Sequence, residues 1–382
     1  MGWFLLREWP FKERPVLTRS LRLNPLNLIR IMPAEETMFK KKIVQISTGL
    51  LLASLVFFAS CAKEKTQSPP SESVSSSELV IWTYDSFISE WGPGPDVTKA
   101  FEGKTGIKIN WVSRGDAGSV LSRLLLEDAN AEADIILGLD QNMASRAINS
   151  GLLESYRPSG VEKILPELIL DTGFRLIPMD YSYFAIVYDS EKLKNIPKSL
   201  EDLTNPEYKQ SFILIDPRTS SVGLGFFGWV KEIYGANWRE YWRRLQPSIL
   251  TVAEGWSSAY GLFTRGEAPM VLSYTTSPGY HLEYEKSERY KAAIFKEGHP
   301  LQIEAAGLLA AAKNKQNAKA FLDFMTNADF QNLIPLTNWM YPVIDIPLPP
   351  SFRVNPKSEK PLRPGTVSEE DLNEWAAFMS KK

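Results

Sequence analysis

The chain has 382 residues, more than one hydrophobic core usually organises, so its length predicts two domains. Its 43 Lys and Arg nearly balance its 45 Asp and Glu, and a formal net charge of -2 excludes the broad basic surface that holds nucleic acid. Because Cys61 is the only cysteine, neither an intramolecular disulfide nor a multi-cysteine metal cluster can form.

Residues 38–61 have the order of residues that is typical of a secretory signal. Three lysines follow Met38 closely, a mostly apolar run extends from Ile43 to Phe58, and two small residues precede Cys61. This resembles the lipobox of bacterial lipoproteins, in which the cysteine is acylated and begins the mature chain, although Phe58 stands where Leu is usual. We therefore predict a lipoprotein signal peptide at 38–60 and lipidation at Cys61. The alternative is an uncleaved anchor with a buried thiol, for which the run is short, since a spanning helix needs about 20 residues.

The segments on either side of this signal carry no pattern of a folded domain. Residues 1–37 have no clear periodicity, and we expect them to be a mis-assigned upstream segment, because Met38 opens a complete signal. Residues 61–78 are rich in Ser, Pro and charge and predict a flexible tether. We expect the folded part to lie in the periplasm or at the cell surface, anchored to a membrane by lipid.

Beyond the tether, strand and helix patterns alternate in two series, which predicts an α/β fold. We predict strands at 79–83, 107–112, 134–138, 212–215 and 270–273, and helices at 96–102, 120–127, 142–148, 226–234 and 278–288. Extended runs at 183–188 and 301–312 predict two hinge crossings. The predicted first lobe comprises 79–183 and 307–337, and the second comprises 184–306 and 338–382.

Aromatic and acidic residues follow several of the predicted strands. Ligands of open α/β sheets bind beyond the carboxyl ends of the strands, so these residues predict a binding site. The faces of Trp and Tyr attract a flat cation, by about 0.5 to 2 kcal/mol per contact, and carboxylates balance its charge. For any one ring, burial in the core is the competing interpretation.

Several strings in both series resemble the periplasmic thiamine-binding proteins of bacterial ABC importers. They are Thr83–Phe87 with Trp91–Gly94, Asp216–Ser220, Gly255–Trp256 with Ala259–Gly261, Leu272–Pro278 and Asn338–Pro342, within about 79–349. The resemblance implies the two-lobed solute-binding fold of the class II type, with thiamine or its mono- or diphosphate held between the lobes. It also implies delivery to an ABC permease with its ATPase subunit, no cofactor, and a monomer.

The resemblance also implies which residues form the site. Trp256, Tyr280 and Trp339 match positions that pack around the thiazolium and the aminopyrimidine. Further expected ligand contacts are Tyr84, Asp85, Trp91, Asp116, Asp140, Tyr274 and Asn338. Asp85 is equally explained as a turn or N-cap carboxylate.

Ser220 matches a position beside the phosphate of the monophosphate ester. Ser220 and Ser221 also precede a predicted helix, whose free amide groups favour an anion. A simple serine N-cap is the alternative interpretation of Ser220.

Other functions fit the sequence less well. Residues 223–228 satisfy the GxGxxG pattern, but a helical pattern continues past Trp242, so we interpret these glycines as close helix packing. The two histidines have no metal-ligand spacing; we expect His281 on a solvated surface near the cleft and His299 on a loop. The sequence predicts no metal site and no catalysis. The remaining alternatives are a receptor for another aromatic or polyamine cation, a ferric-ion receptor that uses Tyr274 and Tyr280, and an exported thiamine-ester phosphatase.

Overall fold

The computed structural model describes residues 77–380; the predictions for the signal segment, for most of the tether and for Cys61 lie outside the described residues. The strands are β1 (Glu78–Thr83), β2 (Lys108–Ser113), β3 (Ile135–Asp140), β4 (Leu153–Glu154), β5 (Ile177–Asp189), β6 (Phe212–Ile215), β7 (Ile249–Ala253), β8 (Met270–Tyr274), β9 (Tyr290–Ala293), β10 (His299–Leu309), β11 (Tyr341–Pro342) and β12 (Pro361–Leu362). The helices are α1 (Asp85–Ile88), α2 (Gly94–Thr105), α3 (Ala117–Glu127), α4 (Gln141–Asn149), α5 (Ser221–Tyr234), α6 (Trp238–Leu245), α7 (Trp256–Thr264), α8 (Ser277–Glu285), α9 (Lys315–Met325), α10 (Ala328–Gln331), α11 (Ile334–Thr337) and α12 (Glu369–Met379). Among the described residues, none of these helices has the length and apolar character needed to cross a membrane.

The main strands form one mixed sheet in the order β2-β1-β3-β10-β5-β8-β6-β7. β1 is parallel to both β2 and β3, and β6 is parallel to both β7 and β8. β5 and β10 are antiparallel to each other and lie between these two parallel groups. Because each parallel group carries its own helices, the arrangement is the predicted two-lobed α/β fold.

Strand β5 joins the two groups. Its first part, up to Tyr183, pairs with β10, and its second part, from Phe184, pairs with β8. The predicted extended run at 183–188 is thus the second part of β5, and the run at 301–312 contains most of β10.

The buried side chains form two hydrophobic cores. The first contains β1, β3, α3 and α9, and the second contains β6, β8, α5 and α7. The cores differ from the predicted lobe boundaries at two places, since Ile303 and Met340 pack in the first core. Strand pairing explains both differences. β10 pairs with β3 from Glu304 onward, and β11 pairs with the first part of β5, so the residues beside these pairs pack in the first core.

The glycines of the GxGxxG string allow close packing of α5, as predicted. A Cβ on Gly223 would lie 2.5 Å from the carbonyl oxygen of Ile215, and one on Gly225 would lie 2.1 Å from the ring of Phe184. Real Cβ atoms essentially never approach other atoms so closely, so only glycine brings this helix against β5 and β6.

The expected solvent exposure of His281 and the expected loop at His299 were wrong, because each ring is buried and hydrogen-bonded. His281 lies on α8, with Nε2 2.8 Å from the Tyr260 hydroxyl and Nδ1 2.8 Å from Glu285 Oε2. His299 begins β10; its Nδ1 lies 2.7 Å from the carbonyl oxygen of Phe184, and burial lowers the pKa of this ring to about 4. Both rings satisfy polar groups inside the second half of the fold.

Candidate ligand-binding site

A cavity of about 700 Å³, counted with its opening to solvent, lies where the two parallel groups of strands face each other. Nine of the twelve predicted ligand contacts line it: Tyr84, Trp91, Asp116, Ser221, Trp256, Tyr274, Tyr280, Asn338 and Trp339. The other three, Asp85, Asp140 and Ser220, lie beside these residues without lining the cavity. The structure thus brings together residues that are up to about 250 positions apart in the chain.

Tyr84 comes directly after β1 and occupies one wall. Its ring packs over Gly138 of β3, where an added Cβ would lie 2.3 Å from the ring. Gly138 also has a φ of +97°, a conformation that other residues rarely adopt. The backbone of β3 therefore determines where the Tyr84 hydroxyl enters the cavity.

Two indole rings form part of a second wall. Trp256 begins α7 and stacks on Tyr260, with ring centroids 4.9 Å apart and planes inclined by 21°. Its Nε1 donates a hydrogen bond of 2.8 Å to the Ser273 hydroxyl, which determines the rotation of the indole. Trp91 lies 6.2 Å from Trp256 between ring centroids.

A third wall is formed by Trp339 and Tyr280. The indole of Trp339 stacks on Phe352, with centroids 5.8 Å apart and planes inclined by 17°, and contacts the edge of Tyr280. Trp339 has a φ of +58°, which costs a residue other than glycine about 1 to 2 kcal/mol. Such strain is concentrated at functional sites, where the surrounding packing maintains it.

Asp116 connects the two halves of the cleft. Its side chain accepts the N–H of Ala117 at the start of α3 and the N–H of Trp256 across the cleft, at 2.6 Å and 2.9 Å. A second hydrogen bond joins the two halves nearby, because the N–H of Ser119 donates to the carbonyl oxygen of Thr219 at 3.0 Å. Burial raises the pKa of Asp116 to about 6, and the two backbone hydrogen bonds oppose this rise.

The other two predicted aspartates have mainly structural contacts. Asp85 is exposed; its Oδ1 accepts the N–H of Ser86 at 2.7 Å and the hydroxyl of Ser257 at 3.2 Å. Asp140 is fully buried and caps α4 by accepting the N–H groups of Asn142 and Met143. Direct ligand contact by either residue therefore stays a prediction.

The start of α5 forms one end of the cavity. Ser220 is the N-cap of this helix, and its hydroxyl accepts the N–H of Val222 at 3.2 Å. The residues that line the cavity are Ser221 and Val222. The positive end of the helix dipole therefore lies at the cavity wall, although the hydroxyl of Ser220 already accepts one of the free amides.

Sequence reasoning missed two buried acids beneath the cavity, Glu304 and Asp180. Glu304 lines the cavity from β10, and its Oε2 accepts the Tyr84 hydroxyl at 2.8 Å. Asp180 lies opposite it on β5, and its Oδ2 accepts Asn338 Nδ2 at 2.7 Å. Only Glu304 lies within a predicted crossing, 301–312, where a carboxylate in an apolar run was the available signal; Asp180 precedes the predicted run at 183–188 and carried none.

The site combines aromatic walls with a floor of carboxyl groups. The most strongly raised carboxyl pKa values of the site belong to Glu304 and Asp180, chiefly because of burial; that of Asp180 reaches about 7. Aromatic faces and carboxylates both attract cations, and each is worth more where water is excluded. Such a cavity suits a flat organic cation. Among the described residues, no group of His, Cys, Asp and Glu has the geometry of a metal site.

Residues 96–342 match the family model described as bacterial extracellular solute-binding protein. The chain is 48% identical over 314 residues to the thiamine-binding periplasmic protein of Brucella abortus biovar 1, covering 80% of this chain and 92% of the relative. It is 44% identical over 302 residues to the Escherichia coli K12 protein of the same name, covering 78% and 89%. A solved periplasmic thiamin binding protein superposes with a TM-score of 0.73 at 42% identity, covering 79% of this chain and 94% of that one.

These relatives are named as binding proteins, and the prediction of a protein that is not an enzyme is confirmed. The two-lobed fold and the resemblance found in the sequence are confirmed as well. The chain belongs to the bacterial extracellular solute-binding proteins, in the group that includes the thiamine-binding periplasmic proteins.

Proposed function

We propose that this protein captures thiamine and its phosphate esters outside the cytoplasm and delivers them to an ABC permease, which its ATPase subunit drives. The observation that supports this most is the cavity itself, where three indoles surround a space above buried carboxyl groups. Thiamine presents a permanently cationic thiazolium and a flat aminopyrimidine, which match those two features. The names and the identity of the relatives support the same ligand.

The proposal for phosphate esters depends on the start of α5. Free N–H groups and the helix dipole at a helix start favour anions, and Ser221 and Val222 place this end at the cavity wall. The Val222 N–H is donated to the Ser220 hydroxyl at 3.2 Å, so an ester phosphate here would replace that hydroxyl or use the other N–H groups of the first turn. We assign the ester phosphate to this end of the cavity.

In this proposal the location follows from the signal segment, whereas the partners and the monomeric state follow from the resemblance to importer receptors. A lipid on Cys61 would hold the protein at the membrane that contains the permease. We expect Cys61→Ser to release the protein from isolated membranes into the soluble fraction. Retention of this variant in the membrane would favour an uncleaved apolar anchor instead.

Titration of thiamine against intrinsic tryptophan fluorescence tests the ligand assignment. We expect saturation at one thiamine per chain with submicromolar affinity, and a large loss of affinity in Trp256→Ala and Trp339→Ala. Unchanged affinity in both variants would contradict the prediction that Trp256 and Trp339 pack against thiamine. Spermidine and ferric ion are the competitors that test the other receptor functions, and neither should displace thiamine.

A further inference from the structure

Two carboxyl groups face each other at the floor of the cavity, where Glu304 lines the cavity and Asp180 lies beneath it. Glu304 of β10 and Asp180 of β5 are directly opposite in the antiparallel register. Side chains at such positions project to the same face, with Cβ atoms about 5 Å apart. Asp180 is fully buried and Glu304 is 5% exposed, so water solvates neither carboxyl well.

The hydrogen bonds around this pair leave one acceptor, Asp180 Oδ1, that a proton on Glu304 can satisfy. Glu304 Oε2 accepts the Tyr84 hydroxyl, and Asp180 Oδ2 accepts Asn338 Nδ2. Asp180 Oδ1 is buried and receives no donor from the described residues unless Glu304 is protonated. A carboxylic acid at Glu304 supplies the missing donor.

The electrostatic neighbours strengthen this argument. The titratable groups that act most on Glu304 are Asp180, Tyr84, Asp140 and Asp116. Tyr274, on β8, faces the same acids. All these groups are neutral or negative, so a cation that enters the cavity meets net negative charge from the described residues around the pair.

We propose that Glu304 and Asp180 are the charge-recognition element of the cavity: they share one proton in the empty protein and release it when a cationic heterocycle binds. The O–H bond of the shared carboxylic acid breaks, the proton passes to buffer, and the pair changes from one negative charge to two. Because the ligand contributes one positive charge, the net charge inside the cavity is the same before and after binding.

This inference rests on the proposed function for the identity of the cation, thiamine. Proton release makes thiamine affinity depend on pH, which aromatic contacts alone would not do. If a proton leaves on binding, affinity rises with pH over the range in which the free pair holds that proton, by up to about tenfold per pH unit for one proton. Acid weakens binding for the same reason, because protons compete with the thiazolium for the pair.

Calorimetric titration of the full chain with thiamine in PIPES and in ACES, buffers of different ionisation enthalpy, measures the proton released. Near pH 7 we expect about 0.5 to 1 proton per thiamine, with affinity rising between pH 6 and 8. A thiamine isostere with carbon in place of the thiazolium nitrogen is neutral, and we expect it to bind without proton release.

The variants assign the proton. We expect Glu304→Gln and Asp180→Asn to bind thiamine about tenfold or more weakly and to lose the proton release. Asp134→Asn is the matched control, because Asp134 is also a buried carboxyl group that accepts N–H donors, from Val80 and Asn314, but it lies outside the cavity and away from Glu304; it should retain the release. Circular dichroism and thermal unfolding verify that each variant is folded.

Three results would overturn the inference: thiamine binding without proton release, equal release with the neutral isostere, or full release in folded Glu304→Gln and Asp180→Asn. In each case thiamine would still bind, so the proposed function would stand. A complete absence of thiamine binding would overturn the proposed function and this inference together.

Discussion

The indoles of Trp91 and Trp256 meet across the cleft, with ring centroids 6.2 Å apart and planes inclined by 54°. Trp91 precedes α2, which packs in the first core, whereas Trp256 begins α7 of the second. A ligand ring that stacks on either indole must approach within about 4 Å of its face. A bound ligand ring between these indoles would therefore contact one residue from each half of the cleft.

Trp256→Phe should weaken thiamine binding by about 5- to 30-fold, since phenylalanine offers a poorer cation-binding face. Trp111→Phe is the matched control. Each indole donates its Nε1 hydrogen to a hydroxyl, at 2.8 Å in Trp256 and 2.7 Å in Trp111, but Trp111 lies outside the cavity. Calorimetry of both variants checks this, and equal losses of affinity would show that the effect is not specific to the cavity.

Gly138→Ala should destabilise the protein and displace Tyr84. The new Cβ would lie 2.3 Å from the Tyr84 ring, at a φ of +97°. Gly151 provides a comparison, because its φ is +76° and no atom lies within 4 Å of a Cβ there. Gly151→Ala has only the conformational cost of the left-handed backbone, about 1 to 2 kcal/mol.

Urea unfolding and thiamine titration of both glycine variants measure the difference. We expect Gly138→Ala to lose at least about 2 kcal/mol more than Gly151→Ala, and to bind thiamine more weakly. If the two variants were equally stable and bound thiamine equally well, close packing of Tyr84 on β3 would not matter for the site.

Asp180→Asn should stabilise the ligand-free protein at alkaline pH. Burial raises the folded-state pKa of Asp180 to about 7, from about 4 in an unfolded chain. Between these values the folded state binds more protons, so its stability falls as pH rises, and the full penalty is present above pH 7. The amide has no such penalty and donates a hydrogen bond to Glu304.

Thermal unfolding at two pH values tests this sign. At pH 8 we expect the Tm of Asp180→Asn to exceed that of the parent by about 2 to 6 °C, and at pH 4.5 the advantage should disappear. A lower Tm of the variant at pH 8 would contradict an unfavourable charge at Asp180. Higher stability with weaker thiamine binding would show that the acid is kept for the ligand.

Asp116→Asn should shift preference toward the phosphate ester. The Asp116 carboxyl interacts with the Ser220 side chain at the start of α5, where its charge repels a phosphate. At pH 8, above its pKa of about 6, we expect the variant to raise the affinity for thiamine monophosphate relative to thiamine by about 3- to 10-fold. Asp128→Asn removes an exposed charge outside the cavity and should leave that ratio unchanged. An unchanged ratio in Asp116→Asn would place the phosphate elsewhere.

Most of the fold was predictable because its strands and helices have strong local patterns. The strand at 212–215 and the alternation of β1, α2 and β2 follow directly from hydrophobic periodicity. Strand β7 and helix α9 were missed, although α9 has Ala318, Phe321, Leu322 and Met325 at helical spacing. The burial of His281 and His299 depends on Tyr260 and Phe184, contacts that no local pattern specifies.

The site was partly predictable because strand ends converge in an α/β sheet. Trp256 and Trp339 could be placed near a ligand in this way, with help from family resemblance. Glu304 and Asp180 could not, because their importance comes from the register between two strands that are more than 100 residues apart. A sequence shows each acid but not that the two face each other.

The most direct measurement of the central claim is a crystal structure of the protein with thiamine. We predict thiamine in the cavity between the two cores, with the thiazolium within about 6 Å of the ring centroid of Trp256 or Trp339, and with Glu304 facing the ligand. Thiamine bound at another surface, with this cavity empty, would contradict the account.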